Sequence, residues 1–138
     1  MSRITLPPVL PIVLRVDAVA NIAGGVALAV LSGWLAPLAG LTGIGPVLLL
    51  AAVLVANGIA NAVVDRRPTP AGVRGLVAVD LAFAVAAVGV ALADPTAAEP
   101  AVRWAVAVVG DLSAVVGLAK LWTLRAARRG SQGDALTF

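Results

Sequence analysis

Trp104 to Trp122 reads WAVAVVGDLSAVVGLAKLW. Tryptophan favours the two membrane–water interfaces, where its amphipathic ring sits at headgroup level. The two rings are 18 residues apart, and a helix rising about 1.5 Å per residue covers roughly 27 Å between them. That matches a bilayer hydrocarbon core of about 30 Å. Between the rings lies a single acid, Asp111, near the middle of the stretch. A carboxylate at that depth is costly and marks a position with a role.

The rest of the chain repeats this character. Hydrophobic residues make up 61% of 138 and charged residues only 12%, too few to cover a soluble domain of this size. The mean hydropathy is +1.04. Cysteine and histidine are absent, which excludes disulfides, thiol chemistry, histidine general-base catalysis and the usual zinc or haem ligation. No metal site and no cofactor is expected, because phosphate loops, dinucleotide fingerprints and nucleophile motifs are also missing. The net charge of +3 does not indicate nucleic acid, since the basic residues cluster at the ends of apolar runs. Arginine-rich, Ala/Val-dominated composition is the mark of a GC-rich bacterial genome.

Four spans are predicted, at about 10–35, 46–65, 72–93 and 102–124, in one integral membrane domain covering 1–138. Pro7, Pro8 and Pro11 open the first span, and Arg15 and Asp17 interrupt it. It therefore reads as a retained span and not as a cleaved signal peptide. The linker 37–46 (PLAGLTGIGP) is a turn by composition. Span 2 ends at Asp65-Arg66-Arg67, span 3 at Asp94-Pro95, and the tail 125–138 reads as a short disordered cytoplasmic segment. One set of span ends holds Arg3, Arg15, Arg66, Arg67, Arg74, Lys120, Arg125, Arg128 and Arg129, and the opposite set only Arg103. The positive-inside rule then places both termini in the cytoplasm of a plasma (inner) membrane. The expected fold is an all-α four-helix transmembrane bundle, N-in/C-in, with the lipid bilayer and a second copy of the chain as partners.

Small residues at helical spacing are expected to pack the bundle: Ala20, Gly24 and Ala27 in span 1, Asp80, Ala84, Ala87 and Ala91 in span 3, and Gly110, Ser113, Gly117 and Lys120 in span 4. Spans 1 and 3 each carry an acid in their first half, Asp17 and Asp80. Two tandem hairpins forming a parallel repeat would produce that arrangement.

The polar residues inside the spans are Asp17 and Asn21, Asn57 and Asn61, Asp80, and Asp111. Residues four apart share a helix face, so spans 1 and 2 each present a polar strip and spans 3 and 4 each present one deep acid. Turned inward to avoid lipid, these residues predict a polar funnel that opens to the cytoplasm and closes at Asp111 and Asn57. Three functions suit it. It binds or passes a small, lipophilic or cationic ligand. Alternatively, Asp80 and Asp111 form a membrane-embedded acid/base pair for isomerisation, cyclisation or epoxide opening of a lipophilic substrate. In the third reading the asparagines are interhelical glue and the acids pair with Arg15, Arg74 or Lys120 in an accessory protein without a ligand.

Size, span number and the position of Asp17 are similar to the small multidrug resistance transporters. That family's acid is a glutamate and its site is aromatic, whereas this chain has no Tyr and two Phe, so its site residues are not carried over. Leu14 to Gly25 (LRVDAVANIAGG) resembles the small, uncharacterised four-span integral membrane proteins of GC-rich bacteria, which implies the fold and no activity.

Overall fold

The computed structural model describes residues 9–93 and 98–133, with side chains through Ala127. The readings made for Arg3, Pro7, Pro8, Asp94-Pro95, the side chains of Arg128 and Arg129, and the tail beyond 133 lie outside the described residues.

Four α-helices follow one another: α1 Val9–Leu38, α2 Gly45–Arg66, α3 Pro70–Ala93 and α4 Pro100–Gly133. All four are long and apolar enough to cross a membrane. The protein is an all-α four-helix bundle of membrane-spanning helices. Proline starts three of them, at or near the first helical position where its missing N–H costs nothing. Thr69 caps α3, its Oγ1 accepting from the Gly72 N–H at 3.0 Å. α1 ends at Gly40, whose φ of 67° lies in the left-handed region that glycine enters without a Cβ penalty. The Leu41 N–H then reaches the Ala36 carbonyl at 2.9 Å and the Gly40 N–H reaches Pro37 at 3.0 Å, closing the helix in a Schellman motif.

α4 continues as helix to Gly133, beyond the span end expected near Leu124 and into the segment read as a disordered tail. Arg125-Ala126-Ala127-Arg128-Arg129 are strong helix formers that carry the backbone past the apolar region.

The helices pair as two hairpins, α1 against α2 and α3 against α4. Glycines set the close approaches. A Cβ on Gly25 would meet the Ala51 carbonyl oxygen at 2.7 Å, and one on Gly58 would meet the Ala18 carbonyl oxygen at 2.8 Å. In the second hairpin a Cβ on Gly110 would meet the Cβ of Ala87 at 2.7 Å, and one on Gly117 the Cβ of Asp80 at 3.1 Å. In a bilayer such backbone proximity replaces the hydrophobic effect between helices. The predicted stripes of spans 3 and 4 therefore face each other. The Ala20–Gly24–Ala27 stripe of span 1 does not pack on α2. Gly25, one residue round the helix, does that.

The two hairpins meet most firmly at the arginine-rich end, where Leu10 and Leu14 of α1, Val73 and Leu76 of α3 and Leu124 of α4 form a buried cluster. At the opposite end the Glu99 N–H donates to the Leu38 carbonyl at 2.9 Å, and Arg103 Nη2 donates to the Ala91 carbonyl at 2.9 Å, satisfying an oxygen of the last α3 turn. Exposed Trp34, Trp104 and Trp122 lie near the two rims of the bundle.

Candidate functional site: a buried ion triad below an apolar cleft

One turn inward from the leucine cluster, three charged side chains from three helices converge. Lys120 of α4 is completely buried. Its Nζ donates to Asp17 Oδ2 of α1 at 2.5 Å and to Asp80 Oδ2 of α3 at 2.7 Å. Asn21, one turn along α1 from Asp17, donates from Nδ2 to Asp17 Oδ1 at 2.6 Å and to the Asp17 carbonyl at 2.9 Å. On α2, the Asn57 side-chain amide reaches toward Asp80. Asn61 is fully buried and donates to the Asn57 carbonyl at 3.0 Å. Its Oδ1 is buried with no hydrogen-bond partner among the described residues.

Charged groups withdrawn from water demand partners at this range, since the interior otherwise penalises each by several kcal/mol. One ammonium against two carboxylates leaves a formal surplus of one negative charge when all three are ionised. Asp17 and Asp80 lie in the first halves of α1 and α3, and one lysine of α4 pairs with both.

Beyond the triad, away from the arginine-rich end, the hairpins part around an open cleft. Its first lobe, about 420 Å³, is lined by Asp17 and Asn21 at one end and by residues such as Leu28, Leu54, Phe83 and Val116 along its length. The second lobe, about 440 Å³, is wholly apolar and shares Leu28, Leu35, Leu54, Phe83 and Val109 with the first. Asp17 is thus the member of the triad that a molecule in the cleft would meet. Volumes of this size, mostly apolar with a few polar groups such as Asp17, Asn21 and Ser113, are typical of small-molecule sites.

The six predicted site residues separate into two groups. Asp17, Asn21, Asn57, Asn61 and Asp80 come together inside the bundle. Asp111 does not join them. Gly110, its neighbour, is buried against α3, while Asp111 lies one residue round the helix and is exposed on the outer surface. The expected funnel floor at Asp111 and the expected Asp80–Asp111 acid/base pair are therefore not formed within one chain. The funnel direction also differs. Large side chains fill the interhelical space at the arginine-rich end. The void lies in the far half, where Ala86, Ala87 and Ala105 join Leu28, Leu54 and Phe83 in its lining. Lys120, expected only as one of three possible partners for the acids, is the cation at the centre of the site. Its spacing from Gly110 and Gly117 puts it on the packed face of α4.

Asp65, at the arginine-rich rim, pairs with Arg15 at 2.9 Å, but the Arg15 side chain is 72% exposed. Such a pair contributes little. Asp65→Asn should lower stability by less than about 1 kcal/mol, measured by thermal unfolding in detergent.

No protein family, curated protein or solved structure matches the chain. Its chemistry is accordingly read from its own geometry.

Proposed function

We propose that this small multi-pass membrane protein binds a lipophilic cation in the cleft, with the cationic group at Asp17 and the apolar body against Leu28, Leu54 and Phe83. The observation that supports this reading is the Asp17 carboxyl group at the end of a mostly apolar cavity, where it and a second acid share a single lysine. Asp17 has oxygen lone pairs left after accepting from Lys120 and Asn21. An incoming cation would complete the charge balance of the triad in a medium where that balance is worth far more than in water. A cytoplasmic position of both termini and passage of the ligand across the membrane belong to the same proposal.

A second reading is favoured by the direct pairing of Lys120 with both acids. In it the triad only holds α1, α3 and α4 together. Equilibrium dialysis against protein in lipid nanodiscs separates the two, with tetraphenylphosphonium as probe and tetraphenylborate as its anionic isostere. The cation should bind and the anion should not. Asp17→Asn should weaken cation binding by about tenfold or more, and Asp111→Asn, outside the cleft, should leave it unchanged. Equal binding of both ions, or an unchanged affinity in Asp17→Asn, would show the triad to be structural only.

A further inference from the structure

Asp111 poses a separate problem. It sits midway along the Trp104–Trp122 stretch, on the exterior of the bundle, with no hydrogen bond or ion pair among the described residues. Ionisable groups at that depth almost always face protein or a water-filled cavity. In a single copy of this chain Asp111 would face lipid.

Its neighbours on the surface form a pattern. Trp104, Val108, Val115, Leu118 and Trp122 are all more than half exposed. With Asp111 they follow one another at intervals of four, three, four, three and four residues. That is the heptad spacing of a left-handed helix–helix seam, sustained from one tryptophan to the other. None of the six lines the cleft, so the seam and the cleft are independent surfaces.

We propose that α4 pairs in parallel with α4 of a second copy through this seam, with the two Asp111 carboxyl groups hydrogen-bonded to each other across a two-fold axis along the membrane normal. A second copy suits the surface for two reasons. Two chains inserted with the same topology hold Asp111 at the same depth, and the tryptophans at both ends keep that register. A carboxylic acid group offers both an O–H donor and an acceptor oxygen, so two of them are mutually complementary without any basic partner. Closed two-fold pairing requires such self-complementarity. A single polar residue within an apolar seam also specifies register, because any slip leaves it facing apolar side chains.

The chain contains no cysteine, so single-cysteine variants report contacts without background. Val108→Cys and Val115→Cys, reconstituted in vesicles and treated with a mild oxidant, should cross-link as dimers. Val30→Cys on α1 and Val85→Cys on α3, comparably exposed, should not. In dilution experiments that follow energy transfer between labelled chains, Asp111→Ala should weaken association by about tenfold. Asp111→Asn, whose amide also donates and accepts, should retain most of it. All five positions lie on the bundle surface, so these variants leave the core intact. The proposal is overturned by cross-linking as strong at Val30 and Val85 as at the seam, or by none at any position. It is equally overturned if Asp111→Ala associates like the parent, or if seam cysteines in native membranes capture a different protein in place of a second copy.

Discussion

Lys120→Met is expected to destabilise the bundle by about 3–5 kcal/mol, the loss typical of removing one partner from a buried ionic network. The lysine is completely buried and holds both Asp17 and Asp80. Without it two acidic side chains are left facing each other with no cation between them. The same physics predicts a rescue. Combining Lys120→Met with Asp17→Leu and Asp80→Leu removes every charge from the site and should recover most of the loss, because a buried ion network rarely outperforms well-packed apolar side chains of similar volume. Thermal unfolding in detergent measures both. A Lys120→Met protein as stable as the parent would mean that the three groups do not share a network.

The second large effect is a contrast between adjacent glycines. Gly25→Ala should cost about 1–3 kcal/mol, the usual range for overpacking a tight contact. Its Cβ would lie 2.7 Å from the Ala51 carbonyl oxygen and 2.7 Å from Val55 Cγ2. Since the oxygen belongs to backbone, relief requires α1 and α2 to separate. Gly58→Ala should behave likewise through the Ala18 carbonyl oxygen. Gly24→Ala, one residue away, meets nothing within 4 Å and should be neutral or stabilising by up to about 1 kcal/mol through helix propensity. Equal effects at Gly24 and Gly25, read from the same unfolding transitions, would overturn the α1–α2 packing described here.

These contrasts show where the linear sequence loses its reach. Periodicity identifies a stripe of small residues on span 1, but Gly24 and Gly25 are about 100° apart on the helix. Which of them meets a neighbour depends on how α1 is rotated in the bundle. The same ambiguity separates Gly110 from Asp111. Position along a helix is readable from the sequence, and Asp111 lies about midway between two tryptophans of α4. Azimuth is not, and an inward direction assumed from the cost of a lipid-facing carboxylate put it in the wrong company. Lys120 shows the same limit. The sequence offers it beside Arg15 and Arg74 as a partner for the acids, and only its azimuth buries it between Asp17 and Asp80.

Span number, approximate boundaries, the all-α class and the exclusion of thiol and histidine chemistry were determined by the sequence alone. They follow from length, composition and the bilayer's demand that backbone polar groups be satisfied within each segment. Only the tertiary structure decided that Asp17, Asp80 and Lys120 share one site, that the cavity lies on the side away from the arginines, and that Asp111 faces outward. Those outcomes depend on how each helix is rotated about its axis and where large and small side chains meet between hairpins. Both are set by packing between segments distant in sequence.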